Sequence, residues 1–297
     1  MKKIDIHTHV LAFPEFCPPR PDGGKILSAQ QQLEVHEKLN VDKAVLLPSG
    51  GMEGQWHLIS TESCMYIASQ HPEHFLWFCN VDPRAGNYNE KTDLGYLLNY
   101  YKERGAKGLG ELMAPINADD PMMDNLFGFC EELELPVLIH IAPQHGDTYG
   151  IVDELGLPRI ERMLKKHPDM KLIGHSAAFW SEISEGLTQE ERNGYPTGKV
   201  REGRLPKLMR EYGNLYCDLS AGSGSNAMMR DPEYAAKFMA EFADRIFYGA
   251  DVCSTFNTFQ YDFDAFLTKM VADGMLSQEN YEKIIRKNAV KLLGLPE

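Results

Sequence analysis

The chain has 297 residues, of which 43% are hydrophobic and 25% charged, and its formal net charge is −13. This composition is typical of an ordered globular fold, and the acidic balance disfavours binding to nucleic acid or to anionic membranes. No apolar run reaches the roughly 18 residues of a membrane span, and the first residues lack the apolar core of a signal peptide. The six cysteines form no CxxC pair, so we predict reduced thiols and a cytoplasmic protein.

Short apolar runs alternate along the chain with longer amphipathic segments. The predicted strands are KIDIHTHV (3–10), DKAVLLPSG (42–50), FLWFCNVDP (75–83), AKGLGEL (106–112), PVLIHIAP (136–143), MKLIGHSA (170–177), NLYCDLSA (214–221) and RIFYGAD (245–251). The clearest predicted helices cover residues 28–40, with Ser28 as N-cap, and residues 90–105, 231–245 and 279–295.

Eight strands that are each followed by a helix-sized segment indicate parallel crossover connections. The sequence therefore predicts an α/β fold, a (β/α)8 TIM barrel that forms a single domain over residues 1–297. A doubly wound open sheet is the alternative, although no GxGxxG motif follows the first strand. Two irregular stretches, residues 11–27 and 177–203, follow strands and are predicted to be loop insertions that cover the C-terminal face of the barrel.

Polar side chains interrupt the apolar runs at or near the C-terminal ends of the predicted strands. These side chains are His7, His9, Glu111, His140, His175 and Asp251. The C-terminal ends of parallel barrel strands converge on the face where active sites lie, so we expect these residues to meet. Each has a simpler interpretation by itself: a lone strand-end histidine is more often a packed core residue, and Asp251 can cap the next turn.

Imidazoles and a carboxylate together form a ligand set that suits Zn²⁺, with Mn²⁺ or Fe²⁺ as alternatives. We predict His7, His9, His140 and Asp251 as ligands of one ion. Glu111 either bridges a second metal, orients a histidine or caps the next segment. His175 is either a further ligand or, as we favour, a general acid that contacts substrate.

Arginines and loop residues give weaker signals for substrate binding. Arg84, which follows the third strand in NVDPR, is the candidate for binding a substrate carboxylate, although an arginine in a turn is more often solvated. Lower-ranked candidates for substrate contacts or pocket walls are His57, His145, Phe179, Trp180, Tyr195, Arg201 and Arg204.

The segments IDIHTHV, PVLIH, KLIGH and FYGAD, in this order, resemble the amidohydrolase superfamily. The resemblance is strongest to its amidohydrolase-2 branch, the aminocarboxymuconate-semialdehyde-decarboxylase-like proteins, and it extends to the ending NAVKLLGL. It implies a (β/α)8 barrel with a divalent metal, zinc above all, held by His7, His9, His140 and Asp251, together with a catalytic His175. Members of this branch include hydrolases and non-oxidative decarboxylases, and they often form homodimers.

Three functions follow from these expectations. The first is a metal-dependent hydrolase of a small, anionic carbonyl- or carboxylate-containing substrate, with Asp251 as general base and a metal that lowers the pKa of water. The second is a metal-dependent decarboxylase of an aromatic or dienoic acid. GHSAAFWSEIS and ADVCS differ from the motifs common in decarboxylase members, and Glu111 is similar to a carboxylate of hydrolytic branches, so we place hydrolysis first. The third is a barrel that binds a metal or a carboxylate without catalysis.

Overall fold

The computed structural model describes residues 1–20, 23–49, 58–146 and 148–296. Its strands are β1 Lys3–Thr8, β2 Val41–Leu46, β3 Phe75–Trp77, β4 Leu109–Leu112, β5 Val137–Ala142, β6 Ile151–Val152, β7 Leu172–His175, β8 Leu215–Asp218 and β9 Ile246–Phe247. All eight predicted strands overlap one of these, with β2 beginning one residue before its prediction, and the two-residue β6 is an addition that the sequence did not indicate.

Twelve α-helices lie in the described part of the chain. They are α1 Ala29–Leu39, α2 Thr61–Gln70, α3 Gly95–Glu103, α4 Pro121–Glu132, α5 Pro158–Lys166, α6 Ala177–Ser181, α7 Arg204–Glu211, α8 Ala221–Met229, α9 Pro232–Glu241, α10 Phe259–Ala272, α11 Gln278–Glu282 and α12 Asn288–Leu293. Short 3-10 turns cover Pro14–Phe16 and Ala243–Arg245, and a π-helical turn, Lys283–Lys287, joins α11 to α12.

The strands pair in parallel in the order β1-β2-β3 and in the order β4-β5-β7-β8-β9, with β6 paired to β5. Backbone hydrogen bonds connect the two sheets at both edges. The Cys79 N–H donates to Gly108 O (2.9 Å) between β3 and β4, and the Ile6 N–H donates to Tyr248 O (3.1 Å) between β1 and the end of β9. Eight parallel strands with helical crossovers thus form the predicted (β/α)8 fold, and the doubly wound alternative is wrong.

The hydrophobic core has two parts, as expected for a barrel surrounded by helices. The inner cluster contains Ile4, Ile6, Val45, Leu47, Phe78, Leu138, Ile173, Phe247, Ala289 and Leu293, all of them buried. A larger cluster packs the outer faces of the strands against the helices. Because the strands are apolar on both faces, the sequence shows continuous apolar runs instead of strict alternation.

Helix boundaries agree with the sequence where a capping residue is present. Ser28 caps α1 through a capping box, in which its side chain accepts from the Gln31 N–H and the Gln31 side chain accepts from the Ser28 N–H. The predicted helix over 90–105 begins later, at Gly95, because residues up to Leu94 form turns and Leu94 offers no side-chain cap. No helix in the described ranges is both long and apolar enough to cross a membrane.

The predicted insertion over 177–203 does not begin as an irregular loop. Its first five residues form the buried helix α6, in which the Trp180 indole N–H donates to Asp218 O at 3.0 Å. Phe179 and Trp180 therefore pack in the core, because Gly174 leaves room for the Phe179 ring: a Cβ at Gly174 would lie 2.1 Å from it. Apart from Ala177 at its start, the insertion reaches the cavity through its later part, at Asn193 and Tyr195.

Candidate metal centre

The end of β1 directs two imidazoles to one point. The Nε2 atoms of His7 and His9 lie 3.1 Å apart. The pairing of β1 with β2 is irregular between Asp5 and Thr8, the part of the strand that contains His7. His7 Nδ1 lies 2.7 Å from Asp218 Oδ2, and His9 Nδ1 lies 3.0 Å from Leu47 O. These acceptors hold a proton on Nδ1 of each ring, so a metal ion that binds here takes the two Nε2 positions.

Glu111, at the C-terminal end of β4, lies between two groups of histidines. Its Oε2 is 3.2 Å from His9 Nε2 and 3.7 Å from His7 Nε2. Its Oε1 is 2.6 Å from His140 Nδ1 and 3.9 Å from His175 Nε2. Each carboxylate oxygen thus faces a different pair of imidazole nitrogens, as in a carboxylate that bridges two cations.

Asp251 approaches the first of these groups from the turn after β9. Its Oδ1 lies 3.8 Å from His7 Nε2 and 3.9 Å from His9 Nε2. The residue has φ of 49°, in the left-handed region that non-glycine residues rarely adopt, and its N–H donates to His7 O at 2.9 Å. This strained turn brings the carboxylate to the histidines, and such strain is often retained where function requires it.

Asp218, at the C-terminal end of β8, is a buried member of the site that the sequence analysis missed. Besides its contact with His7, its Oδ1 lies 3.5 Å from His175 Nδ1. The neighbouring Ser220 Oγ lies 3.2 Å from His7 Nδ1 and 3.0 Å from His175 Nδ1. Asp218 interrupts the run LYCDLS at a strand end, so the rule that found the other residues applied to it as well.

The electrostatics of the cluster favour a bound cation. Burial raises the pKa of Asp218, but the charges of His175 and His7 outweigh it and hold that pKa far below its ordinary range. Burial is likewise outweighed at Glu111, where His140 keeps the pKa well below the usual value. Burial lowers the pKa of His140 and keeps this ring neutral. Burial lowers the pKa of His7, but the charges of Asp218 and Asp251 outweigh it and raise that pKa well above its ordinary value. A cation that binds at His7 Nε2 therefore displaces a proton.

A cavity of about 400 Å³ opens above these residues. Its lining includes His140, His175 and Asp251, and the remaining lining residues are Arg20, Thr148, Tyr149, Ser176, Ala177, Asn193, Tyr195, Ala221, Gly222, Ser223, Cys253, Asn257 and Phe259. Both predicted loop insertions therefore reach the barrel mouth, the first through Arg20 and the second through Asn193 and Tyr195.

The structure does not bring every candidate residue to this cavity. Arg84 is absent from the residues that line it, and its guanidinium instead binds Asp82, with Nε–Oδ1 and Nη2–Oδ2 distances of 2.9 and 2.7 Å. His140, predicted as a ligand of the same ion as His7 and His9, contacts Glu111, His175 and Tyr149, and Glu111 lies beside His7 and His9. His57 lies outside the described residues.

Comparisons with known proteins agree with this architecture. The amidohydrolase family profile matches residues 4–295. A TIM-barrel protein from Bordetella bronchiseptica, described as uncharacterized, aligns with a TM-score of 0.65 and 16% identity over 99% of both chains. A probable 2-pyrone-4,6-dicarboxylic acid hydrolase from Acinetobacter baumannii, solved with citric acid bound, aligns at 0.61 and 16% over 99% of this chain and 100% of its own.

A third solved structure, 2,6-dihydroxybenzoate decarboxylase from Rhizobium, aligns with a TM-score of 0.60 and 14% identity over 99% of both chains. A comparison with curated protein sequences found no match. Fold and site together define a metal-dependent enzyme built on a (β/α)8 barrel. The chain belongs to the amidohydrolase family, which includes metal-dependent hydrolases and decarboxylases.

Proposed function

We propose that this protein is a metal-dependent hydrolase of a small anionic substrate that carries a carbonyl group. The observation that carries the proposal is the position of Glu111, whose two oxygens face two separate pairs of histidine nitrogens. Sites with two cations commonly catalyse hydrolysis, because the cations together activate the attacking water and stabilise the leaving oxygen.

Two adjoining ligand sets fit divalent cations. His7, His9, Asp251 and Oε2 of Glu111 supply the first, and Oε1 of Glu111, His140 and His175 supply the second. The mixture of imidazole and carboxylate donors suits Zn²⁺, with Mn²⁺ and Fe²⁺ as alternatives. A cation bound here supplies a water of lowered pKa and polarises the substrate carbonyl.

The residues of the chain have distinct roles in the proposed reaction. Asp251, which lines both the cavity and the first ligand set, takes the proton of the attacking water and passes it to the leaving group. His175 binds the second cation or protonates the leaving atom, and both roles need the orientation that Asp218 and Ser220 give it. Asp218 also holds His7 in the tautomer that frees Nε2.

Decarboxylation of an aromatic or dienoic acid is the second candidate, because a 2,6-dihydroxybenzoate decarboxylase shares the fold. In that reaction the same carboxylate, Asp251, would deliver a proton to the carbon that loses CO₂. Non-catalytic binding is the weakest candidate, since the chain belongs to a family of metal-dependent hydrolases and decarboxylases.

The charge of the substrate, the location of the protein and its assembly are also part of the proposal. An anionic substrate is supported by Arg20 in the cavity lining, which takes the place that we had assigned to Arg84. Free cysteines at all six positions agree with a cytoplasmic location. A single domain over residues 1–297 and a homodimer stay predictions.

Hydrolysis and decarboxylation are separated by the origin of the product's oxygen. We would incubate the zinc-loaded protein with a panel of lactones, amides and aromatic acids in H₂¹⁸O and analyse the products by mass spectrometry together with released CO₂. The proposal expects one ¹⁸O atom in the carboxylic acid product and no CO₂. Release of CO₂ without ¹⁸O incorporation would overturn it in favour of the second candidate.

A further inference from the structure

Asp5 lies on β1 two residues before His7 and is fully buried, yet the proposed reaction gives it no role. Its Oδ1 accepts two backbone hydrogen bonds, from the His7 N–H at 2.9 Å and from the Ala250 N–H at 2.8 Å. His7 is a proposed metal ligand, and Ala250 directly precedes the proposed ligand Asp251. One carboxylate oxygen thus connects the two segments of chain that carry these ligands.

The bond from Ala250 takes the place of a backbone bond of the barrel. Tyr248 O, after β9, accepts a backbone N–H of β1 at 3.1 Å. In a regular parallel ladder the N–H of Ala250 would donate next to a carbonyl of β1. It donates to the Asp5 side chain instead, and the N–H of Asp251 donates to His7 O at 2.9 Å. Asp5 therefore lies where the regular pairing of β1 with this segment stops.

The segment after β9 turns sharply at this point and lies very close to β1. Asp251 has φ of 49°, and this left-handed turn brings its Oδ1 to 3.8 Å from His7 Nε2. Gly249 permits the close approach, because a Cβ there would lie 2.8 Å from Ser220 Cβ and 3.1 Å from His7 Cβ. At so short a separation, a small displacement of either segment changes the distance between the two ligands.

The second oxygen of Asp5 fixes the orientation of the carboxylate. The Thr8 hydroxyl donates to Oδ2 at 2.9 Å, and Nε2 of the buried His36 lies 3.3 Å from the same oxygen. Because neighbours occupy both oxygens, Oδ1 stays directed at the two backbone N–H groups. Buried polar networks whose members are all satisfied make the surrounding structure rigid, and Asp5 is the centre of such a network.

We propose that Asp5 is a positioning residue of the metal centre, which sets the separation of His7 and Asp251 by holding their backbones together. This inference rests on the proposed function for the identity of the two ligands, but it concerns the geometry of the site and not the reaction. Asp218 orients the ring of His7, whereas Asp5 places the backbone that carries the ring.

The role is tested by metal binding, without any turnover. We would prepare Asp5→Ala, Asp5→Asn and Thr8→Val and measure the zinc affinity of each by competition with a chelator. The visible spectrum of the cobalt(II)-loaded proteins reports how the ligands are arranged around the ion, and melting temperature shows that each variant is folded.

The three variants separate the two oxygens of Asp5. Asp5→Ala removes both, whereas Asp5→Asn keeps an acceptor at the position of Oδ1, and its NH₂ group can donate to the Thr8 hydroxyl. Thr8→Val is the matched control, because it removes one hydrogen bond from the same carboxylate and leaves the two backbone N–H groups bonded.

We expect Asp5→Ala to weaken zinc binding by roughly 10- to 100-fold, as for other residues that support metal ligands, and to change the cobalt spectrum. Asp5→Asn should restore the wild-type spectrum and bring the affinity to within about threefold of the wild type, because the amide oxygen accepts the same two bonds. Thr8→Val should lower the melting temperature but leave the spectrum unchanged. A role in folding alone predicts a lower melting temperature with an unchanged spectrum in all three variants.

Wild-type affinity and spectrum in folded Asp5→Ala overturn the positioning role, as do equal changes in Asp5→Ala and Thr8→Val or a wild type that binds no cobalt. If Asp5→Ala does not fold, Asp5→Asn decides: an altered spectrum despite the retained oxygen overturns the role, and a wild-type spectrum supports it. These results do not depend on the ¹⁸O experiment, so failure of the positioning role and failure of the proposed hydrolysis are distinguished.

Discussion

Two buried charged clusters in this protein differ in how their charges are balanced. In the first, at the barrel mouth, the ion-pair partners of Glu111 and Asp218 within the described residues are all imidazoles. In the second, Arg192 is fully buried, and its Nε lies 2.9 Å from Glu182 Oε1 while its Nη1 donates to Asp153 O at 2.7 Å. The second cluster contains its own strong cation.

The comparison shows how a structural ion cluster differs from a candidate metal centre. The guanidinium of Arg192 pairs its charge with Glu182 and donates hydrogen bonds to Asp153 O and Ala178 O, and the chain continues from it to Asn193 and Tyr195 at the cavity. The mouth cluster instead directs the nitrogens of His7 and His9 and one oxygen of Glu111 at a common point. Its charges are balanced when a divalent cation is bound there, so removal of one member should affect chemistry more than folding.

Asp251→Asn is expected to have the largest effect. The amide keeps the size of the side chain but cannot accept the proton in the proposed reaction, so kcat should fall by roughly 1,000-fold. Steady-state kinetics on the substrate identified by the ¹⁸O panel measures this loss. Melting temperature should change little, and kinetics are measured at saturating zinc because Asp251 is also a proposed ligand. A kcat within tenfold of the wild type would remove Asp251 from the role of general base.

Arg192→Met should affect stability instead of chemistry. Removal of the cation leaves Glu182 buried without its partner, and such losses cost about 3–5 kcal/mol of unfolding free energy. Urea denaturation measures the loss of unfolding free energy. Arg162→Met is the control, because Arg162 pairs with Asp119 at an exposed position, where an ion pair typically contributes about 0–1 kcal/mol. Equal losses in both variants would contradict the contrast between the two clusters.

Asp218→Asn tests whether this carboxylate orients His7. Loss of the acceptor at 2.7 Å should weaken zinc binding by roughly 10- to 100-fold, the usual effect of removing a carboxylate behind a metal-binding histidine. Competition with a fluorescent chelator gives the affinity. Unchanged zinc affinity would show that the contact serves packing alone.

A smaller effect is expected from the pair of His36 and His74 outside the barrel, whose Nδ1 and Nε2 atoms lie 2.7 Å apart. Burial, helped by His36, lowers the pKa of His74 to about 4. The unfolded state, with a pKa near 6.5, binds the proton more readily, so stability should fall as the pH drops from about 6.5 to 4.

Urea denaturation at pH 7 and pH 5 measures this dependence. His74→Gln should reduce the stability difference between the two pH values, whereas His71→Gln, three residues earlier, is the control. A pH dependence that is identical in His74→Gln and the wild type would contradict the assignment to this pair.

Much of the fold and part of the site could be predicted from the sequence. The apolar runs located all eight barrel strands, and their polar ends gave His7, His9, Glu111, His140 and Asp251. Asp218 was missed because the predicted strand NLYCDLSA continued past it to Ala221, whereas β8 ends at Asp218. Strand position, however, carries no information on side-chain partners.

Pairings across the barrel could not be predicted for this physical reason. The two-sided contacts of Glu111 depend on the angles between β1, β4, β5 and β7, which are fixed only once the barrel forms. The partner of Arg84 could not be predicted either, because its guanidinium forms an ion pair with the nearby Asp82 instead of extending to the barrel mouth. Arg20 and Ser223 enter the cavity through loop and helix packing that no periodicity encodes.

The bridging position of Glu111 is tested most directly by metal analysis of the purified, zinc-reconstituted protein. Mass-spectrometric metal content should give two zinc ions per wild-type chain and at most one in Glu111→Gln, with turnover lost in that variant. Full turnover by a wild-type chain that holds one ion or none would contradict a carboxylate shared between two cations.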